Sequence, residues 1–221
     1  MDQQADRLDS ETSANLADLL ADLKQNAQKI HEHGQRADGI VRTMLQHSRG
    51  EAARRRPTEM NALLAQYTDL AYHGLRAQDP TLSLAIETDF DPAIGEVDVT
   101  PEHLSRVILN LVNNACYAAS EKRKRRVGGA FAPTIKVSSR DRGDHIEIRV
   151  RDNGDGIPEA IRARIFDPFF TTKPPGAGTG LGLSLSHDIV VGEHRGGLRA
   201  ESREGEWTEF IVTLPKAAPG G

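Results

Sequence analysis

Two asparagines four residues apart are the first side chains in this sequence that could take part in chemistry. Asn110 and Asn114 belong to the segment Asn110-Leu111-Val112-Asn113-Asn114-Ala115. Residues four apart share one face of an α-helix, so both amides would point the same way. An amide oxygen is a neutral, hard ligand that suits Mg²⁺ held otherwise by phosphates and water. The pair indicates either a magnesium site or two solvated surface amides.

A carboxylate followed by two glycines forms the second motif, Asp152-Asn153-Gly154-Asp155-Gly156-Ile157-Pro158. It follows a predicted strand and precedes a predicted short helix. A carboxylate at a strand end can accept a hydrogen bond from the exocyclic amine of adenine, and glycines let the backbone approach the ring. The alternative is an ordinary Asp/Gly turn that closes a strand.

A glycine-rich segment, Gly176-Ala177-Gly178-Thr179-Gly180-Leu181-Gly182-Leu183, leads into a predicted helix. Its bare N–H groups and the positive end of the helix suit phosphate oxygens. The spacing matches neither the phosphate loop of P-loop enzymes nor the dinucleotide fingerprint. A flexible linker is the alternative, and the leucines that follow at once argue against it.

The segment from Ile165 to Pro175 contains three phenylalanines, prolines and one lysine. This composition predicts a hinged flap that packs down or lifts away. A cationic Lys173 on such a flap could contact phosphate. The alternative is an anchored surface loop.

The elements that must position these motifs follow from hydrophobic periodicity and turn residues. Thr100 before Pro101 predicts the start of a helix that carries the asparagines to about Glu121. The strand before Asp152 pairs in a predicted hairpin closed at residues 142–144. Two other helices are predicted, one capped by Thr58 and ending near Ala77 and one starting at about Gly182. Strands are predicted at 82–87, 134–139 and 145–151, and a hairpin pairs 197–202 with 208–214. Together they predict an α+β fold: a two-layer α/β sandwich with a mixed, mostly antiparallel sheet packed on helices.

The N-terminal region predicts a long coiled-coil-like helix before this domain. Apolar or small residues recur at alternating spacings of four and three, which is a heptad pattern that calls for partner helices in a dimeric bundle. The positions are Leu16, Leu20, Leu23, Ala27, Ile30, Gly34, Ala37, Val41 and Met44. The expected division is a stalk helix at 1–50, a linker at 51–57, a domain at 58–215 and a flexible tail at 216–221.

The composition is that of a water-soluble protein, with 221 residues, a net charge of -4 and a mean hydropathy of -0.50. No run approaches the length of a membrane span and no signal peptide is recognisable, so a cytoplasmic location is expected. The one cysteine, Cys116, excludes an internal disulfide and is expected to be buried and inert. The basic run at 121–126 is interpreted as a solvated loop, and no nucleic-acid partner is expected.

The order and spacing of the four motifs resemble the N, G1, F and G2 boxes of the histidine-kinase catalytic domain. This domain belongs to the superfamily that also includes DNA gyrase B, the Hsp90 chaperones and MutL. The resemblance covers about Pro57 to Pro215, and the stalk is similar to the second helix of the kinase dimerisation hairpin. It implies ATP and Mg²⁺ as cofactors and a flap that acts as the ATP lid.

The resemblance assigns roles to individual residues of this chain. Asn114 would bind Mg²⁺, with Asn110 beside the phosphates and Lys173 as a further catalytic group. Asp152 would read adenine, supported by Thr208 from the last strand. The remaining nucleotide-binding residues implied are Gly154, Gly156, Ile157, Phe166, Thr171, Thr172, Gly178, Thr179, Gly180, Leu181, Gly182 and Leu183.

Two departures from the family bear on the reaction. The ATP-hydrolysing relatives have a glutamate base where this chain has Asn110, and an amide cannot accept a proton from water. The family's His-Glu-x-x-x-Pro-like acceptor segment is not recognisable; His31 and His33 are the nearest histidines but lack the proline. The resemblance thus implies a two-component kinase that phosphorylates a histidine outside these motifs, homodimerises through the stalk and serves a response regulator.

Two alternatives stay open. The chain could be a nucleotide-binding regulatory or dimerisation module that phosphorylates nothing, which the missing acceptor favours. It could also be a serine protein kinase similar to the anti-sigma factors, although that activity leaves the stalk unexplained.

Overall fold

The structure, a computed structural model, describes residues 54–126, 131–174 and 178–216, together with positions 16, 19–27, 29–30 and 34 near the N-terminus. It divides into two units. The helical unit comprises Met1–Gly50 and Thr171–Thr179, and the sheet unit comprises Glu51–Phe170 and Gly180–Gly221. None of the helices in the described part is long and apolar enough to cross a membrane.

A five-stranded sheet forms one layer of the sheet unit. Its strands are β2 (Ala85–Phe90), β4 (Thr134–Asp141), β5 (His145–Asp152), β6 (Gly197–Arg203) and β7 (Trp207–Pro215). Their order in the sheet is β2-β4-β5-β7-β6; β2 pairs in parallel with β4, and the other pairs are antiparallel. The predicted mixed, mostly antiparallel sheet is therefore confirmed.

The central strand β5 shows how the sheet separates its two faces. Ile146, Ile148 and Val150 are buried against the helices, because alternate side chains of a strand point to the same face. Asp152 continues this series and is only 3% exposed. Arg149 and Arg151 lie on the opposite face. The alternation thus carries one carboxylate into the layer between sheet and helices.

Two long helices form the second layer, α1 (Met60–Gln78) and α2 (Pro101–Arg125). The start of α2 is as predicted, with Thr100 at the N-cap position and Pro101 in the first turn. Its buried face packs on the sheet and confirms the two-layer prediction. Buried apolar residues of α2 are Leu104, Val107, Ile108, Leu111, Val112, Ala115, Cys116 and Ala119.

The predicted cap at Thr58 is wrong. Thr58 belongs to strand β1 (Arg56–Glu59), which pairs antiparallel with β3 (Glu96–Val99) in a two-stranded sheet. Arg55 adds a hydrogen bond from Nε to the Asp98 carboxylate at 3.1 Å. Neither short strand was predicted, because four residues are too few to show an alternating pattern. The boundary expected between linker and domain at Pro57 stays a prediction.

Two predicted boundaries differ from the structure. The strand expected at 82–87 is β2 at Ala85–Phe90, and α2 extends to Arg125 instead of ending near Glu121. The helix expected from Gly182 begins there as α4 (Gly182–His187), after the one-turn α3 (Glu159–Arg162), and continues as a π-helix at Asp188–Glu193. The remaining strand and hairpin predictions agree with the structure to within two residues.

In the helical unit, the described positions 16, 19–27, 29–30 and 34 are helical, as predicted. Four of the heptad positions, Leu16, Leu20, Leu23 and Ile30, are 58–73% exposed. Ala37, Val41, Met44 and the candidate histidines His31 and His33 lie outside the described residues. The described leucine and isoleucine positions of the apolar stripe are therefore exposed in the single chain.

Candidate nucleotide-binding site

One stripe of α2 contacts both the start of α4 and the glycine loop after β5. Asn110, Asn114, Ala118 and Lys122 follow one another at intervals of four residues, so they share a helix face about 18 Å long. The first of them contacts Gly182 and Ser186 in α4, and the last two contact the loop after β5. Asn114 lies on the stripe between these contacts, which places it between the start of α4 and the loop after β5.

Asn110 packs against Gly182 at the start of α4. Its Nδ2 donates a hydrogen bond to Ser186 Oγ at 3.0 Å, and Ser186 Oγ donates to the Gly182 carbonyl oxygen at 2.9 Å. A Cβ at position 182 would lie 2.1 Å from Asn110 Oδ1. A side chain at 182 would therefore displace the Asn110 amide from its contact with α4.

Asp152 is a buried carboxylate whose pKa is raised to about 7 by desolvation. The backbone N–H of Gly154 donates to Asp152 Oδ1 at 2.8 Å, and hydrogen bonds from the backbone of Gly154 and Thr208 oppose the rise in pKa. Thr208 is the cross-strand partner of Asp152 on β7. The Thr208 backbone forms the hydrogen bond that lowers the Asp152 pKa, whereas the Thr208 hydroxyl lies 3.4 Å from Ser202 Oγ.

The two glycines after Asp152 occupy positions that exclude a side chain. A Cβ on Gly154 would lie 2.8 Å from Ala118 Cβ, which belongs to the α2 stripe. Gly156 has a φ of +69°, and its Cβ would lie 2.3 Å from the Arg203 carbonyl oxygen. Ile157 is fixed through its backbone N–H, which donates to Ser202 Oγ at 2.8 Å. The loop thus presents bare backbone beside a buried carboxylate.

Lys122 is buried, which corrects the interpretation of residues 121–126 as a solvated loop. It is 5% exposed, and its Nζ donates to the carbonyl oxygens of Asn153, Gly154 and Gly205 at 2.9 Å each and to Glu206 at 3.4 Å. The ammonium therefore ties the loop after β5 to the turn between β6 and β7. Lys122 lies in a run of basic residues, so its composition suggested a solvated segment. The four-residue spacing from Asn114 and Ala118 places Lys122 on the same helix face, and this spacing could have indicated its burial.

The predicted flap and the glycine-rich segment after it are divided between the sheet unit and the helical unit. Phe166 is partly buried in the sheet unit, with its ring centroid 5.7 Å from that of His187. Gly180 has a φ of +71°, and a Cβ there would lie 2.4 Å from the Phe169 carbonyl carbon. Leu183 packs against the core, and Leu181 accepts a hydrogen bond from Ser184 Oγ at its carbonyl oxygen.

The other predicted flap residues belong to the helical unit. The backbone N–H of Lys173 donates to Thr171 Oγ1 at 3.1 Å, and a Cβ on Gly178 would lie 3.1 Å from the Lys173 side chain. Thr172 and Thr179 belong to the same segment. Pro175, Gly176 and Ala177 lie outside the described residues. The part that this segment takes in ligand binding stays a prediction.

Among the described residues, histidine, cysteine and acidic side chains form no cluster of three that could hold a metal ion. A metal held mainly by ligand oxygens and one protein amide needs no such cluster. Cys116 is buried, as predicted, and burial raises the pKa of its thiol to about 12.

Comparison with known proteins gives consistent results. Residues 99–218 match the model of the family described as histidine kinase-, DNA gyrase B-, and HSP90-like ATPase. The two-component sensor PprA of Pseudomonas aeruginosa is 36% identical over 187 residues, which are 83% of this chain and 19% of that protein. The sensory histidine kinase/phosphatase NtrB of Rhizobium leguminosarum bv. phaseoli is 30% identical, over 84% of this chain and 48% of that protein.

Among solved structures, the catalytic domain of histidine kinase ThkA is 30% identical and superposes with a TM-score of 0.60. The match covers 73% of this chain and 95% of that domain. The chain spans about a fifth of the length of PprA and about half that of NtrB. The family match includes the α2 stripe and both glycine loops described above. The chain belongs to the histidine kinase-, DNA gyrase B- and HSP90-like ATPase family, and its fold is that of histidine-kinase catalytic domains.

Proposed function

We propose that this chain is the catalytic part of a two-component sensor histidine kinase, which binds Mg-ATP and transfers the γ-phosphoryl group to a histidine. The observation that carries this proposal is the buried Asp152 at the end of β5, followed by a glycine loop that packs against the α2 stripe of Asn110, Asn114, Ala118 and Lys122. It is supported by relatives named as a two-component sensor, a sensory histidine kinase/phosphatase and a signal transduction histidine-protein kinase.

Asp152 reads adenine in this proposal. Its carboxylate accepts a hydrogen bond from the exocyclic amine, while Gly154, Gly156 and Ile157 present backbone to the ring. This assignment is supported by the two glycines, since a Cβ at 154 would clash with Asp152 Oδ1 and Ala118, and a Cβ at 156 with Arg203. Thr208 assists from β7 by fixing Asp152.

The phosphates are assigned to the loop before α4 and to the flap. Asn114 supplies an amide oxygen to Mg²⁺, and Asn110 holds the start of α4 beside it. When bound, Mg²⁺ neutralises charge on the phosphate oxygens. The residues assigned to the phosphates and the lid are Phe166, Thr171, Thr172, Lys173, Gly178, Thr179, Gly180, Leu181, Gly182 and Leu183.

The identity of Asn110 favours phosphoryl transfer to a protein group over hydrolysis. A carboxylate at this position could deprotonate an attacking water, whereas an amide cannot accept that proton. Asn110 is already engaged with Ser186 and Gly182. The residues of this chain therefore bind and orient the nucleotide, and an imidazole held in line acts as the nucleophile.

The proposed partners follow from this reaction. A response-regulator receiver domain would accept the phosphoryl group from the histidine on an aspartate. A homodimer would bury the exposed stripe of Leu16, Leu20, Leu23 and Ile30 against a second copy. We assign the chain to the cytoplasm, where ATP is available, and we retain the division into stalk, linker, domain and tail at 1–50, 51–57, 58–215 and 216–221.

The test is incubation of the full chain with ATP labelled at the γ-phosphate, alone and with a separate hairpin fragment that carries an acceptor histidine. Acid-labile label on the fragment is expected. No label despite ATP binding would overturn the proposal in favour of the regulatory module, and acid-stable label would favour the serine kinase.

Two variants test the assigned residues by titration calorimetry. Asp152→Ala should abolish nucleotide binding, and Asn114→Ala should weaken the Mg²⁺ dependence of binding. Asp155→Ala is the matched control, because Asp155 lies in the same loop but pairs with Arg125 at the surface. Unchanged affinity in Asp152→Ala would refute the adenine-reading role, and a metal response equal to that of the parent would refute the role of Asn114.

A further inference from the structure

The solvent-facing side of the sheet carries a depression of about 440 Å³. Five cationic side chains from β4, β5 and the turn between them line it: Lys136, Arg140, Arg142, Arg149 and Arg151. Asp152 points to the other face of β5 from its neighbour Arg151, because consecutive residues of a strand alternate. The depression and the candidate nucleotide site therefore lie on opposite faces of the sheet.

The strand register brings like charges together in this depression. Lys136 on β4 is the direct cross-strand partner of Arg151 on β5, and Ser138 is the partner of Arg149. Like charges directly opposite each other destabilise a sheet. On their other sides, Arg151 has Glu209 opposite it on β7, and Lys136 lies 3.3 Å from Asp89. Further arginines flank the pair, so an anion bound above it would offset the repulsion that these carboxylates leave.

Three carboxylates accompany the five cations, and two of them lie beneath the cations. The side chains of Glu147 and Glu209 are only 8% and 10% exposed, whereas those of the five cations are 30–48% exposed. Asp89 is the exposed carboxylate, at 43%, and it contacts Arg140 and Lys136. The groups that face solvent are therefore mainly positive, although the whole chain has a net charge of -4.

The buried carboxylates hold the guanidinium groups in fixed orientations. Arg149 Nε donates to Glu147 Oε1 at 2.9 Å, and Arg149 Nη1 donates to Glu209 Oε2 at 2.8 Å. Arg151 lies over the Trp207 ring, with Cζ 4.0 Å from the ring centroid, and its Nη1 forms a longer ion pair with Glu209 Oε1 at 3.9 Å. Because the carboxylates bind the buried side of these guanidinium groups, the N–H groups on the exposed side face solvent. The planar guanidinium can donate two parallel hydrogen bonds to phosphate oxygens.

We propose that this depression binds a small anion carrying two or more phosphate groups, separately from the nucleotide of the candidate ATP site. Neighbouring strands are about 4.8 Å apart, and residues two apart along a strand are about 6.7 Å apart. Lys136, Arg149 and Arg151 are thus spaced to contact adjacent phosphate groups of one compact molecule.

The test is a titration of the full chain with inorganic pyrophosphate, followed by calorimetry and by the fluorescence of Trp207. Trp207 is the only tryptophan in the chain and lies against Arg151, so it reports on this site. Saturable binding is expected in the parent. The double variant Lys136→Gln with Arg151→Gln should bind at least tenfold more weakly, and citrate at equal ionic strength should compete poorly.

Two further variants make the result specific. Arg199→Gln is the matched control, since Arg199 lies on β6 outside the depression and pairs with Glu201; it should bind pyrophosphate like the parent. Asp152→Ala should retain pyrophosphate binding even where nucleotide binding is lost, which separates this proposal from the proposed kinase function. Equal affinity in the double variant, an equal loss in Arg199→Gln, or equal binding of citrate would each overturn the proposal.

Discussion

The side-chain amide of Asn110 occupies the space that a Cβ at position 182 would need, with Oδ1 2.1 Å from the position of that Cβ. The Asn110 side chain therefore fills the gap between α2 and the start of α4, where Gly182 contributes none. This packing makes the position of the Asn110 amide dependent on a glycine more than 70 residues away in the sequence.

Gly182→Ala should therefore displace Asn110 and weaken Mg-dependent nucleotide binding about tenfold or more. Calorimetric titration with and without Mg²⁺ measures this. Gly74→Ala is the matched control, because Gly74 lies within α1 and nothing is within 4 Å of its Cβ position. That change should stabilise the chain by about 0.4–1 kcal/mol and leave binding unaffected. Equal affinity in Gly182→Ala and the parent would contradict the packing argument.

The affinity for nucleotide should fall as the pH drops below about 7. Burial raises the pKa of Asp152 from 3.8 to about 7, and the ionised carboxylate is the better acceptor for the adenine amine. Below that pH, affinity should decrease by about tenfold per pH unit, because binding must remove one proton. Calorimetry with ADP between pH 5.5 and 8.5 measures the effect; Asp152→Asn should remove this component and leave only the titration of the phosphates.

The same raised pKa has a defined effect on the stability of the nucleotide-free chain. The contribution of Asp152 is fully present below its unfolded pKa of 3.8 and is lost as the pH rises through the folded value of about 7. The difference in unfolding free energy between the parent and Asp152→Asn should therefore shift against the parent between pH 4 and 7. A constant difference across this window would contradict the assignment.

Lys122→Met should destabilise the sheet unit and weaken nucleotide binding. The substitution removes the donor to the four carbonyl oxygens that Lys122 joins and leaves buried acceptors unpaired. A loss of roughly 1–3 kcal/mol in the free energy of unfolding is expected, measured by urea denaturation.

Lys124→Met is the control for that change. Lys124 is two residues further along the same helix, its side chain is 65% exposed, and it pairs with Glu121. Its replacement should alter the free energy of unfolding by no more than about 0.5 kcal/mol. Equal effects of the two substitutions would mean that the burial of Lys122 is not what stabilises the loop.

Gly156→Ala should cost more stability than Gly205→Ala. Both glycines have positive φ, +69° and +79°, so alanine is strained at either position. Only at 156 would the Cβ also meet a backbone atom, the Arg203 carbonyl oxygen, at 2.3 Å. The difference between the two variants in thermal or urea unfolding isolates this close contact. A smaller loss in Gly156→Ala than in Gly205→Ala would contradict it.

The fold class and most of the elements could be predicted from local sequence. Pro101 after Thr100 marks the start of α2, and the alternation in β5 carries Asp152 to a strand end. These signals involve neighbouring residues only, so they can be read from the sequence without knowledge of the tertiary structure. The short strands β1 and β3 escaped prediction, because their pairing joins segments about 40 residues apart.

The family could also be predicted from the sequence, because four motifs in a fixed order and spacing are specific together even though each has an ordinary alternative. The match over residues 99–218 and the likeness to solved catalytic domains confirm that prediction. The roles of the individual side chains remain proposals for the experiments above.

By itself, the sequence determined the residue type at each position and the local hydrophobic periodicity that favours helices and strands. Tertiary structure decided which of them are buried and what they contact. Lys122 is identical in type to exposed Lys124, yet it is buried because the loop after β5 and the turn after β6 bring four carbonyl oxygens around its ammonium group. The burial that raises the Asp152 pKa is likewise created by packing between α2 and the sheet, since desolvation depends on neighbours that are distant in the chain.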